Sequence, residues 1–150
     1  MIEFREITLA DKQWVQPLLD MSGYGSEEYS FTFLYIWRDI FAYRIARMGD
    51  YLLVKSMRDR HPPSYLFPAG SGDIAPVLDA LAEDAAAAQV PLSFYTILEP
   101  GVKLLETMYP GQYEFLALTD YFDYVYDAQS LITLGGKKLH SKRNHINRFK

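Results

Sequence analysis

Residues 41–56, FAYRIARMGDYLLVKS, decide how this chain is read. Two segments that suit strands, Phe41–Arg47 and Tyr51–Ser56, flank Gly49-Asp50, a dipeptide suited to a tight hairpin turn. Beyond the Pro62-Pro63 break, Ser64–Phe67 predicts a third, short strand. Upstream, IEFREI (2–7) alternates apolar and polar residues as a half-buried strand should. Thr8 offers an N-cap with Asp11 three positions on, and Trp14, Val15, Leu18 and Leu19 form a helical stripe. Pro17 falls inside that stripe and predicts a kink or an early stop. After the loop MSGYGSEE, a second helix is expected from about Glu27. Phe31, Phe33, Leu34, Tyr35, Ile36 and Trp37 make it apolar nearly all round, which predicts deep burial.

Downstream, the turn Pro68-Ala69-Gly70-Ser71-Gly72-Asp73 leads into an amphipathic helix with apolar positions at Ile74, Val77, Leu78, Leu81, Ala85 and Ala88. Pro91–Leu98 reads as a strand. Pro100 suits a first helical position, and Val102, Leu105 and Met108 mark a helix ending near Pro110-Gly111. Tyr113–Leu118 and Tyr121–Tyr126 read as two closing strands. The order β-α-α-β-β-β-α-β-α-β-β predicts an α+β domain: a mostly antiparallel mixed sheet flanked by helices, with a basic helix at the C-terminal end.

Composition bounds the function. The 150 residues are 49% apolar, which suits one globular domain. No apolar run approaches the ~20 residues needed to cross a bilayer, and the charged, alternating N-terminus does not resemble a signal peptide. Cysteine is absent, which removes disulfides, thiolate nucleophiles and zinc–sulfur sites and fits a cytoplasmic protein. The net charge of −4 conceals a division. Residues 1–134 carry nine Lys/Arg and all nineteen Asp/Glu, whereas 135–150 carry six bases and no acid. Such a basic block suits an anionic partner, or the protein's own acidic surfaces.

The element order resembles the GCN5-related N-acetyltransferase (GNAT) fold. Four motifs narrow the resemblance: EYSFTFLYIWRD (28–39), LFPAGSGD (66–73), DYFDYVYD (120–127) and LGGKKLHSKRNHINRF (134–149). Together they are similar to a bacterial family of unknown function related to the C-terminal part of phosphatidylglycerol lysyltransferases. In the last motif Gly136, Lys138, Arg143, Asn147 and Arg148 match the pattern G-x-K-x4-R-x3-N-R. The family resembles tandem acetyltransferase folds of the Fem-type peptidoglycan aminoacyltransferases. The resemblance therefore implies that residues 1–134 are an N-terminal acetyltransferase-like domain. It also implies that 135–150 connect it to a second such domain, which this chain lacks. The implied activity of the whole is aminoacyl transfer from tRNA, with aminoacyl-tRNA as co-substrate and no bound cofactor. The chain by itself is expected to shape the acceptor cleft without completing an active site.

The candidate site residues follow. Acetyltransferases hold the thioester's pyrophosphate on backbone N–H groups at a helix N-terminus, behind a Gln/Arg-x-x-Gly-x-Gly/Ala loop. Here Gly70, Ser71 and Gly72 supply small residues, but the leading Arg or Gln is missing. Asp73 sets a negative charge where phosphate would lie and is expected to cap the helix instead, so acyl-coenzyme A is not expected. No carboxylate lies in Ser64–Phe67 to act as general base. Tyr109 is the remaining candidate for a catalytic acid, against a packed core tyrosine. His140 and His145 point about 140° apart on a helix, so no metal site is expected. Phe122, Tyr124 and Tyr126 share one face of a predicted strand; they could stack bases, or simply face the core.

On the basic helix, Leu139, Ile146 and Phe149 form an apolar stripe that could pair two copies of the chain. Lys138, Lys142, Arg143, Asn147 and Arg148 are the candidate contacts to an anion, either tRNA or a phospholipid headgroup. The competing readings are a non-catalytic binding or scaffolding module for an anionic partner and a small-molecule N-acetyltransferase.

Overall fold

The computed structural model describes residues 2–122 and 124–149. It is a mixed α+β structure with a mostly antiparallel sheet flanked by helices. Two compact units divide between Phe115 and Leu116.

The hairpin organises the first unit. β2 (Tyr43–Met48) and β3 (Tyr51–Ser56) pair antiparallel from Tyr43↔Ser56 to Met48↔Tyr51. Gly49, at φ +58, takes the left-handed conformation the tight turn requires. β1 (Arg5–Glu6) joins β2, while β4 (Ser64–Leu66) joins the other edge of β3. β5 (Ala69–Gly70), which periodicity did not reveal, pairs with the turn end of β3. β6 (Phe94–Tyr95) lies beside β4 and runs parallel to it, giving the order β1-β2-β3-β4-β6.

Every residue of β3 is buried, because helices cover the sheet on both faces. Leu52 and Val54 face a core with α1 (Lys12–Ser22) and α2 (Phe31–Ile36). Tyr51 and Leu53 face the opposite core with α3 (Ala75–Ala87) and α4 (Glu99–Met108). A strand buried on both sides loses its polar alternation, which explains the Leu-Leu-Val run. α4 begins close against the sheet: a Cβ on Gly101 would lie 3.0 Å from the Phe67 ring.

Local chemistry sets the helix starts. Asp11 ends a 3₁₀ turn, Leu9–Asp11, and its buried carboxylate accepts bonds from Thr8 N (2.8 Å), Thr8 Oγ1 (2.8 Å) and Trp14 Nε1 (2.8 Å). Arg5 donates to both carboxylate oxygens. Its guanidinium is the main force holding the Asp11 carboxyl well below the usual carboxylate range. Asp11→Ala is expected to cost about 2 kcal/mol by orphaning these donors. In wild type the same contribution is complete above about pH 4 and is lost as pH falls, because Asp11 binds its proton more weakly folded than unfolded. Chemical denaturation of both forms at pH 7 and pH 3 checks this: the difference between them should shrink in acid.

Several expectations are corrected. α1 runs continuously through Pro17. Gln13, whose carbonyl loses the proline N–H, lies on the same exposed face, where water can replace the bond. The second helix is broken at Ser30, whose Oγ accepts from Phe33 N, so Glu27–Tyr29 is a separate 3₁₀ turn. Nor is it buried all round: Ile36 is 62% exposed and Trp37 is exposed beside it. Pro91–Leu98 contracts to the two residues of β6.

Neither closing strand forms among the described residues of 113–126; Asp123 lies outside them. Alternation supplies a strand's faces but not the neighbouring edge that must bond its backbone. Tyr124 is 89% exposed, and Phe122 and Tyr126 are exposed too, so these three face no core and share no strand.

In the second unit, α5 (Ala128–Thr133) is capped by Asp127, which accepts from Ser130 N at 2.7 Å. α6 is His140–Phe149, shorter than the basic segment 135–150. Among the described residues no helix is long and apolar enough to cross a membrane.

Candidate functional site

The glycine-rich turn is held against the hairpin. Gly70, at φ +154, pairs with Tyr51, and a Cβ added to it would lie 2.0 Å from the Asp50 carbonyl oxygen. Glycine is needed here so that two segments of this chain can meet. Ser71 N donates to Asp50 O (3.2 Å), and Tyr51 Oη donates to Gly72 O (2.8 Å).

At the start of α3, Asp73 Oδ1 accepts from Ala75 N at 3.1 Å, although Asp73 stands one residue before the N-cap position, Ile74. Pro76 has no N–H, and Val77 N donates to Ile74 O at 3.0 Å. Ala75 N and Val77 N are thus already engaged at this helix end, and Pro76 has no donor. A shallow depression beside the turn has two carboxylates, Asp50 and Asp73, in its lining, together with Met48, Tyr51, Ser71 and Val77 among others. The residues present do not fit the pyrophosphate of an acyl-thioester.

Tyr109 follows the last turn of α4, half-buried and edge-on to Tyr113 with centroids 6.1 Å apart. It packs against the core shared by α3 and α4. Nothing in this setting distinguishes it from a packing tyrosine.

The structure distributes the basic candidates. Lys138 lies in the turn before α6, while Lys142, Arg143, Asn147 and Arg148 lie on that helix. Arg143 is half-buried and donates from Nη1 to the carbonyls of Leu134 and Gly136, the latter at 2.9 Å. It thereby ties the Gly135-Gly136 turn to α6, where Gly136 adopts φ +78. Lys138, Lys142 and Arg148 are exposed and take part in no ion pair among the described residues. Of the apolar stripe, Leu139 is half-buried while Ile146 and Phe149 are exposed. His140 contacts Arg143 (3.4 Å) and Asn144 (3.2 Å), and no group of three metal-ligating side chains occurs among the described residues.

Two polar clusters are invisible to periodicity. On one side of the sheet, Lys55 of β3 and Tyr65 of β4 both donate to Asp84 Oδ2 of α3, each at 2.5 Å. The rings of Phe4 and Tyr65 flank the ammonium at 5.3 and 5.6 Å. Burial and the adjacent carboxylate push the Tyr65 phenol well above the usual range, so it stays a donor.

The other cluster lies beyond the C-terminal ends of the parallel pair β4 and β6. Tyr29 Oη donates to Thr96 O (3.0 Å) and, more weakly, to Phe67 O (3.3 Å), linking the two strand ends. Glu28 accepts from Thr96 Oγ1 at 3.2 Å and from Ser26 Oγ. The sequence signal is the carboxylate inside the aromatic motif 28–39, which lies on no strand.

Comparison with known proteins agrees with this architecture. The family model described as phosphatidylglycerol lysyltransferase, C-terminal, matches residues 21–150. The chain belongs to that family. A solved structure, a conserved protein of unknown function from Bacteroides thetaiotaomicron VPI-5482, superposes with a TM-score of 0.92 at 34% sequence identity. The match covers 99% of this chain and 50% of that one, so the chain spans half the length of its solved relative. Among curated proteins none matches. The lysyltransferase C-terminal family is thus represented here by an α+β module that fits a GNAT-like single domain. In this module the glycine-rich turn 69–73 is bonded to the hairpin.

Proposed function

We propose that this chain acts as the N-terminal half of a tandem acetyltransferase-fold protein of the tRNA-dependent aminoacyltransferase type, shaping the acceptor cleft and catalytically incomplete alone. Family membership supports the reaction class. The observation that carries the reading is the turn at 69–73, where Gly70 and Ser71 N meet the hairpin and the Asp73 carboxylate bonds the start of α3. The partner is a second acetyltransferase-like domain, and the transfer needs geometry supplied by both halves. Tyr109 is kept as the candidate acid of this half, and the cytoplasm as its compartment, where charged tRNA is available. An assay of the 150-residue chain with aminoacyl-tRNA or acetyl-coenzyme A should give no transfer above background. Robust transfer by the isolated chain overturns the reading.

A second reading is favoured by the exposed cations Lys138, Lys142 and Arg148, which take part in no ion pair among the described residues. In it the chain is a non-catalytic module that binds a phosphate-rich partner through these residues and Asn147, with Arg143 positioning the helix. Affinity for tRNA, or for vesicles of anionic phospholipid, should then fall steeply with salt. Lys138→Ala/Lys142→Ala should lower the logarithmic salt slope by about 2. Binding that ignores both salt and substitution rejects it. Pairing of two copies through Leu139, Ile146 and Phe149 belongs to the same reading, and sedimentation of Phe149→Glu against wild type tests it.

A further inference from the structure

Among the described residues of the second unit none is buried, and only Leu134, Leu139 and Arg143 are half-buried. Neither hydrophobic core of the chain takes a residue from it. Its large apolar side chains are instead in the open: Leu116, Tyr124, Val125, Ile132 and Phe149 are between 76% and 95% exposed. Ordering a chain costs conformational entropy at every residue, and burial of apolar surface is what offsets it. α5 has six residues and α6 ten, both shorter than the ~12–15 that an isolated helix needs to persist in water. The unit therefore needs a cover, and exposed apolar surface on this scale marks where one binds.

Three features point to the cover. The solved relative carries as much chain again, and its match takes in 99% of this one, the second unit included. The exposed aromatic segment is bracketed by Asp120 and Asp127, whose charges a phosphate surface of lipid or nucleic acid would repel. A unit that runs from Leu116 to Lys150 supplies about the 20–30 residues that each side of a standard protein interface contributes.

We propose that the exposed apolar side chains of residues 116–149 dock on the second acetyltransferase-like half, and that the unit becomes stable only there. The inference rests on the proposed tandem reading and adds the surface through which the halves meet. It also gives the alternating residues 116–126 a source for the neighbouring edge that they do not find among the described residues.

Hydrogen exchange read by mass spectrometry tests this on two proteins, the 150-residue chain and the full-length Bacteroides relative. In the chain, amides of 116–149 should exchange within seconds while those of β2 and β3 stay protected. In the relative, the aligned segment should exchange about a hundredfold more slowly or better. Val125→Asp/Ile132→Asp should leave the melting temperature of the chain unchanged, because both side chains are exposed in it. The same changes at the aligned positions of the relative should lower its melting temperature by about 5 °C or more. Protection of 116–149 in the monomeric chain would show a self-sufficient unit, and protection that grows with chain concentration would make a second copy the cover. Either result overturns the proposal, as does an unprotected segment in the full-length relative. Docking found together with robust transfer by the 150-residue chain would sink the transferase reading alone. An uncovered segment in a relative that needs both halves for transfer would sink this inference alone.

Discussion

Asp84→Ala is expected to destabilise the first unit by about 3–5 kcal/mol, the usual cost of leaving one member of a buried ion pair alone. The Lys55 and Asp84 side chains are 10% and 13% exposed, and one Asp84 oxygen serves both Lys55 and Tyr65 at 2.5 Å. Removing it strands an ammonium between two rings and leaves a buried phenol without its acceptor. Lys55→Met/Asp84→Ala should be more stable than Asp84→Ala, because the desolvated charge goes with its partner. Urea unfolding followed by tryptophan fluorescence checks both. A loss below about 1 kcal/mol in the single variant would mean that the pair is solvated rather than buried.

Gly70→Ala is expected to cost about 3 kcal/mol or more, combining strain at φ +154 with a clash against the Asp50 carbonyl. Gly72 makes the comparison. Its φ of +109 also favours glycine, but a Cβ there would meet nothing within 4 Å. Gly72→Ala should therefore cost only the backbone strain, about 1–2 kcal/mol. A glycine kept for a phosphate would behave differently: Gly70→Ala would then fold normally and lose only ligand affinity. Thermal melts of the two variants separate these cases, and equal melting temperatures would show that Gly70 is not a packing requirement.

The parts of the fold that periodicity reveals are those whose partner is near in sequence or whose faces differ. The hairpin around Gly49-Asp50 needs only its own turn, and α3 and α4 carry apolar stripes wherever they dock. The Thr8–Asp11 pair and the Asp73 bond to Ala75 N are local, and each forms within three residues. The second helix departs from its expected burial because its aromatics divide, some into the core and some, such as Trp37, onto the surface. Residues 113–126 alternate like strands, yet alternation cannot supply a neighbouring edge. Arg143 reads as a free cation on a helical wheel, whereas two carbonyls from the preceding turn claim it. Glu28 and Thr96 are 68 positions apart, and nothing in their separate contexts joins them.

From the residues alone came the α+β class, the basic C-terminal helix, the lack of a phosphate-binding Arg or Gln and the likeness to the lysyltransferase family. Each depends on residue identity and short-range spacing, where steric and capping preferences act directly. Tertiary structure alone decided that β6 lies parallel to β4, that Gly70 serves the hairpin, and that Lys55, Tyr65 and Asp84 share one buried charge. It also brought Glu28 and Tyr29 to Thr96 beyond the end of β6. Those outcomes depend on which distant backbones meet and on what water is excluded when they do, and no local preference encodes either.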